Sequence, residues 1–372
     1  MASSADYIND LTQLGYSFRY NEVTDRIEIN GDPITDVLQA RIRAQMRDRR
    51  HKSMTAVEDA YTAQAWASRF HPIRDYLSGL QWDGQSHIEK LATFFTDKHD
   101  MISTYLRRWL IGAVAKVHQR TQNFMLVLDG PQGCGKSYFV QWLCPPILEQ
   151  YRAEGGINVA NKDIWLLLSS KWLWEVGELG ATLRAADREA LKDFISHLDV
   201  TIRRPYDRHS VTRPALASLV GTVNGAGAGL LNDPTGSRRF AVVELTALDW
   251  GYVDLDRDQI WAEAYTAYQA GESWRLTSAE QQRQAAINER YEVELPLEGL
   301  LYRYYDVDPA ITEWTAGMDI IADLEMFGLK GLQHASLSEL GRILKKHGIE
   351  RERRARRWGY KGVARKMQGT VI

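Results

Sequence analysis

Apolar and polar positions follow two regimes along the chain. Near the middle, short unbroken apolar runs dominate: Phe124-Met125-Leu126-Val127-Leu128, Trp172-Leu173-Trp174, Leu216-Ala217-Ser218-Leu219-Val220-Gly221-Thr222-Val223 and Ala241-Val242-Val243. Apolar residues at successive positions, rather than at every second one, predict strands buried on both faces of a parallel sheet. The stretch Tyr105-Leu106-Arg107-Arg108-Trp109-Leu110-Ile111-Gly112-Ala113-Val114 predicts a helix leading into them. Outside this middle part the period is mostly helical. One early exception is the alternation in Tyr16 to Tyr20 and Arg26 to Ile29, followed by the turn chemistry of Asn30-Gly31-Asp32-Pro33, which predicts a hairpin. Near the end, Leu337-Ser338-Glu339-Leu340-Gly341-Arg342-Ile343-Leu344 predicts an amphipathic helix.

With no internal repeat and no low-complexity linker, three regions are expected. They are a mainly helical N-terminal domain over residues 1–100, an α/β core over 101–275, and a helical linker with a compact basic unit over 276–372. The chain has 372 residues, 44% of them hydrophobic, enough for a large core and two or three domains. No run of about 18 apolar residues occurs, and the opening Met1 to Asp6 lacks a basic flank, so no membrane segment is expected. Two cysteines, Cys134 and Cys144, imply neither a disulfide framework nor a zinc cluster, and a cytoplasmic location is expected.

The most specific chemistry follows the first apolar run. Gly130-Pro131-Gln132-Gly133-Cys134-Gly135-Lys136-Ser137 fits G-x-x-x-x-G-K-[ST], between a predicted strand and a predicted helix. Glycines let backbone N–H groups curl around phosphate oxygens, the helix offers the positive end of its dipole, Lys136 reaches the β- and γ-phosphates, and Ser137 ligates magnesium. Residues 130–137 with Tyr138 are therefore the expected nucleotide-binding set, and ATP and Mg²⁺ the expected cofactors. A carboxylate is needed beside the metal, and Glu175, costly inside so apolar a run without a partner, is the candidate; Glu178 is the candidate for polarising the attacking water. Asn224 ends its strand where a bound ligand would lie, suiting contact with the γ-phosphate or the attacking water. Arg238 and Arg239, at a turn-to-strand junction, suit phosphate clamping within the subunit or from a neighbour.

A formal charge of −2 hides an uneven distribution. Between Arg342 and Lys366 lie eleven Lys or Arg residues against Glu350 and Glu352, among them Arg353, Arg354, Arg356, Arg357 and Lys361. That excess suits duplex phosphates. Asp199 to Arg213 predicts a hairpin whose tip carries Arg203, Arg204, Arg208 and His209 beside Tyr206, cations for a single-stranded backbone and a ring on which a base can stack. An earlier basic cluster, Arg41 to Lys52, reads as a solvated helix face with Val37, Leu38 and Ile42 turned inward.

The ordered set resembles the virulence-associated protein E family of phage and mobile-element proteins, and more distantly the superfamily 3 helicases. The matching stretches are His71 to Leu77, Gln81 to Gly84, Leu128 to Ser137, Trp172 to Leu179, Leu191 to Ser196, Arg203 to Tyr206, Gly221 to Asn224 and Asp233 to Phe240, about residues 14–275. The resemblance implies an AAA+-like ATPase core in a homo-oligomeric ring, a hexamer, moving on single-stranded DNA at a replication fork or origin, with a primase or polymerase as a candidate partner. It implies Arg238 as the arginine finger acting in trans, with Arg239 as its alternative, Asn224 as the first sensor, and the 199–213 hairpin as the DNA grip in the pore. Val176 stands where many superfamily 3 members carry a second acid. The C-terminal unit resembles a winged helix, with Ser336 to Leu344 as the presented helix and Trp358 to Gly362 as the wing. The expected activity is an ATP-dependent DNA helicase or translocase; an ATP-driven loader or packaging motor, or a non-hydrolysing origin-binding switch, would use the same core.

Overall fold

The computed structural model describes residues 3–158, 161, 163–177, 179, 185–203, 210–224, 237–291, 296–326, 336–354 and 356–366. It divides into two compact units, Met1–Glu292 and Val293–Ile372. Helix Ser278–Asn288 therefore belongs with the core and not with the C-terminal unit, which corrects a boundary at 275. The reason is two buried amides: Gln284 Nε2 and Asn288 Nδ2 donate to the carbonyl of Phe240 at 2.8 and 3.0 Å.

The N-terminal part carries more strand than its pattern suggests. Strands β1 (Phe18–Asn21) and β2 (Arg26–Ile29) form the predicted hairpin, with Phe18 opposite Ile29. Two-residue strands β3 (Asp32–Pro33) and β4 (Arg69–Phe70) extend it to the order β3-β2-β1-β4. Segments that short carry no readable period. Helices Ser4–Gln13, Asp36–Asp48 and Met54–Ala67 close a small core around Leu11, Phe18, Ile42, Met46 and Tyr61. Val37 is exposed rather than inward, because Ile42 and Met46 set the buried stripe of its helix. The basic cluster there is engaged locally: Arg43 meets Glu58 at 3.2 Å, and Arg49 and His51 each meet Asp10 at 2.6 Å.

The rest of this unit is built on six strands, β5 (Phe95–Asp97), β6 (Met125–Asp129), β7 (Arg152–Glu154), β8 (Leu173–Val176), β11 (Ser218–Val223) and β12 (Phe240–Leu248), in the order β5-β12-β6-β11-β8-β7. All pairings are parallel except that of β5. Every residue of β6, β8 and β11 is buried, which is why their apolar runs do not alternate. Gly221 lets β11 pass its neighbours, since a Cβ there would fall 2.0 Å from Leu179 Cδ1. Strands β9 (Asp199–Ile202) and β10 (Val211–Pro214) form the predicted hairpin outside the sheet, Val211 opposite Ile202.

In the second unit, helices Pro296–Tyr304, Gly317–Met326 and Ser336–Lys346 surround Leu301, Ile320, Leu324, Leu340, Ile343 and Leu344. Strands β13 (Tyr305–Val307) and β17 (Val363–Arg365) pair with each other. Strands β14 (Trp314–Ala316), β15 (Arg351–Arg354) and β16 (Arg357–Lys361) make a sheet ordered β14-β16-β15, whose β15–β16 turn holds Arg356 at φ 68°. The helix predicted at 337–344 is there, and Gly348 follows it at φ 71°.

Candidate nucleotide site and nucleic-acid contacts

The loop after β6 leaves the sheet at Gly130, whose N–H donates to Val223 O at 3.2 Å. Gly133 (φ 78°) and Gly135 (φ 102°) take left-handed conformations that a side chain would strain, and Gly135 is the N-cap of helix Lys136–Leu143. Lys136 is buried and folds back on its own loop, Nζ donating to Gly130 O at 2.9 Å and Pro131 O at 2.8 Å. An ammonium resting on neutral carbonyls is free to exchange them for a stronger, charge-assisted bond to an anion.

Beside the loop lies a cavity of about 410 Å³ lined by Lys136, Ser137, Glu154, Glu175, Thr222 and Asn224 among others. Glu175 is buried, and burial pushes its carboxyl above the ordinary range, while hydrogen bonds with the Ser137 and Thr222 hydroxyls oppose the shift. Thr222 Oγ1 is 3.4 Å from Glu175 Oε1. A buried carboxylate joined to a hydroxyl fits magnesium, which takes few protein ligands and completes its shell with water and phosphate oxygens. Among the described residues no group of three or more His, Cys, Asp or Glu side chains that could hold a metal ion occurs. Asn224 is exposed at the end of β11. Glu178 lies outside the described residues. Cys144 is buried, its thiol pushed up to about 12 by burial, as suits a packing residue. Cys134 lines the loop 3.8 Å from Lys136 Nζ.

Arg238 and Arg239 do not join this cavity. They form the turn before β12, whose first residue Phe240 pairs with Met125, the first of β6, while the loop follows the last residue of β6. A five-residue strand separates the two places by on the order of 15 Å. There Arg120, Arg238, Arg239 and Arg275 line a second cavity of about 550 Å³. Arg239 is half-buried and its Nε donates to Ser196 Oγ at 2.5 Å; Arg238 is exposed and makes no side-chain ion pair among the described residues. Near the base of the β9–β10 hairpin, Arg120 meets Asp199 at 3.2 Å. Arg203 is exposed at the end of β9, whereas Arg204, Tyr206, Arg208 and His209 lie outside the described residues.

In the second unit Arg353, Arg354, Arg356, Arg357 and Lys361 are all exposed. Not all are available to a ligand on equal terms: Lys346, Arg354, Arg357, Arg365 and Lys366 have acidic partners. Arg351 and Arg353 lie over the ring of the exposed Trp358, at 4.6 and 5.9 Å. Sequence reasoning missed Thr222, Glu154 and Ser196, whose importance is purely positional. It also missed Trp250, which borders the phosphate loop from a distant part of the chain.

A parallel α/β sheet with a glycine-rich loop, a lysine and a buried hydroxyl–carboxylate pair at one edge defines the class of this protein. The chain belongs to the virulence-associated protein E-like family, whose domain model matches residues 77–293. Two solved structures, both apo forms of the NrS-1 C-terminal region (305–718), share its fold at 14% identity. Their TM-scores are 0.50 and 0.52, and each match covers 98% of this chain and 100% of the other. No match is found among curated proteins. Among the described residues no helix is long and apolar enough to cross a membrane.

Proposed function

We propose that this chain is an ATP-dependent DNA helicase or translocase of the superfamily 3 type, working in replication of a phage or mobile element as a homo-oligomeric, hexameric ring. The observation that carries this reading is the division of labour across one sheet. Phosphate loop, acid and sensor candidate share the carboxyl edge, while the arginines stand at the amino edge, out of reach of their own loop. Five parallel strands in which the loop strand β6 and the acid strand β8 flank the sensor strand β11 support the AAA+-like core that the resemblance implies.

In this reading Lys136 leaves its loop carbonyls for the β- and γ-phosphates, and Ser137 and Glu175 hold magnesium, which supplies positive charge to the phosphate oxygens. Asn224 orients the γ-phosphate or the attacking water, with Glu178 as the polarising base. Arg238 of one subunit meets the γ-phosphate bound by its neighbour, and Arg239 holds the turn through Ser196. The hairpin carrying Arg203, Arg204, Tyr206, Arg208 and His209 grips single-stranded DNA in the pore, and the winged-helix-like second unit binds duplex at an origin or fork. A primase or polymerase is the expected companion, and the host cytoplasm the expected place. ATP turnover and strand displacement on forks with either tail test the whole: both are expected in the wild type and neither in Lys136→Ala. Turnover without displacement would favour a loader or packaging motor, and binding without turnover a switch.

A further inference from the structure

We infer that Trp250 and Tyr138 form the platform on which the base of the bound nucleotide stacks. This rests on the ATP-site reading above and adds to it the residues that select a nucleotide over a bare phosphate chain.

Two large aromatic side chains stand open to solvent at the rim of the phosphate-loop cavity, Trp250 at 48% exposure and Tyr138 at 44%. Their ring centroids are 5.0 Å apart at 41°. Exposing this much aromatic surface is costly, and two such rings side by side make the kind of face that a base covers. Their place is firmly set. Trp250 opens the short turn Trp250–Asp254, where the Asp249 carboxylate accepts from the Gly251 N–H at 2.9 Å. Its ring is backed by Tyr252, fully buried, which packs edge-on against Trp142 with centroids 5.0 Å apart. The Trp250 ring also lies directly against the loop: a Cβ on Gly135 would come within 2.8 Å of Trp250 Cζ2. Gly135 is thus required twice, by its positive φ and by the indole.

The direction of the site follows from strand order. Glu175 is on β8 and Trp250 follows β12, with β11 and β6, which leads into the phosphate loop, between them. At the usual strand spacing the two ends are on the order of 14 Å apart. A triphosphate lying along the loop with its γ end at Glu175 and Asn224 brings its ribose and base toward Tyr138, one residue past the metal-side Ser137, and Trp250. Phosphate binding by the loop needs no ring.

The test compares a ligand that has a base with one that lacks it. Calorimetry on the full chain with Mg²⁺ measures Kd for ATP and for inorganic tripolyphosphate. Trp250→Ala is expected to weaken ATP binding roughly 5- to 150-fold while tripolyphosphate binding stays within about twofold. Trp250→Phe should restore most of the loss, and Tyr138→Ala should move ATP in the same direction by less. An equal loss for both ligands would overturn the inference, leaving Trp250 as a support for the loop, as would unchanged ATP affinity in Trp250→Ala. A wild-type protein that binds tripolyphosphate and ATP equally well would also sink the base platform while sparing the phosphate site. A wild type that binds neither overturns the ATP reading itself, and the platform with it.

Discussion

The two edges of the central sheet contrast in chemistry although the same strands build both. At the carboxyl edge, charges are mixed and buried: Lys136 against carbonyls, Glu175 against two hydroxyls, all around one cavity. At the amino edge the cavity is lined by four arginines, and among the described residues the side chains of Arg120 and Arg239 have polar partners in Asp199 and Ser196. In the proposed reading the first edge holds the nucleotide and its metal. The second is a cluster of four arginines, of which Arg120 meets the Asp199 carboxylate. In a ring, the second edge of one copy can complete the first edge of the next.

The largest effect expected from that contrast is at Arg238. Removal of a trans arginine should lower turnover by about 10³- to 10⁵-fold, with nucleotide binding largely kept. Wild-type protein doped with Arg238→Ala should lose more activity than its share of the mixture, measured as ATP turnover at fixed total protein. Turnover strictly proportional to the wild-type fraction would break the comparison by making each edge act alone. Arg239→Ala provides the internal control. Its guanidinium is committed to Ser196, so it is expected to lower turnover less and to weaken the coupling of DNA binding to hydrolysis.

At the other edge, Lys136→Ala and Glu175→Gln should each reduce turnover by about 10²- to 10³-fold, for different reasons. Loss of Lys136 removes a phosphate contact and weakens ATP binding too. Glu175→Gln removes a charge from a site where burial already opposes ionisation, so ATP should bind at least as well and remain unhydrolysed. Fluorescent-nucleotide titration beside a turnover assay separates the two, and normal turnover in Glu175→Gln would place the essential acid elsewhere.

The legibility of the two edges from sequence differs for a physical reason. Gly130 to Ser137 announces itself because a backbone cradle for phosphate has few solutions, all glycine-rich and local. Glu175 is readable as an acid in an apolar run, and the Ser137 and Thr222 hydroxyls, which sequence does not bring together, offset the burial that β8 imposes on it. Asn224 was readable from its place at a strand end. The amino edge was not, because Arg239 and Ser196, or Arg120 and Asp199, are brought together by strand order, which periodicity does not encode. For the same reason the sequence pattern does not show β3 and β4, turns Val37 inward, and leaves helix Ser278–Asn288 outside the core that its two amides tie down.

A smaller and more graded effect is expected from the second unit. The eleven cations between Arg342 and Lys366 suggest a steep salt dependence, yet five of them are already paired with acids of the same unit. If the remaining six meet phosphates, removing residues 293–372 should flatten the logarithmic salt slope of duplex binding by about 5, at roughly 0.9 per contact. Fluorescence anisotropy between low and moderate salt measures this. An unchanged slope would assign the unit to protein docking and leave duplex contact to the core.

The smallest effect concerns a lysine at the amino edge whose charge burial opposes. Lys116, on helix Ile102–His118, is buried, donates to Ala217 O at 2.7 Å just before β11, and is lowered by burial to about 7. Its unfolded value is the ordinary 10.5. Between these values the unfolded chain holds a proton that the folded chain has released, so stability rises with pH through this window; below 7 both states are protonated and the cost of burying the charge is complete and constant. The Cys144 thiol, raised to about 12, works in the opposite sense as pH rises through its ordinary 9, and Lys171, also lowered by burial, works in the same sense, so the comparison with a Lys116 variant assigns the rise. Lys116→Met, which keeps the chain length and removes the proton, should cancel a rise of about 2 kcal/mol over about pH 7 to 9 in unfolding free energy. Urea unfolding of both proteins at pH 7, 8 and 9 measures the difference. Parallel curves would mean that Lys116 keeps its charge in the fold, and that the amino edge carries one more cation than its exposed arginines supply.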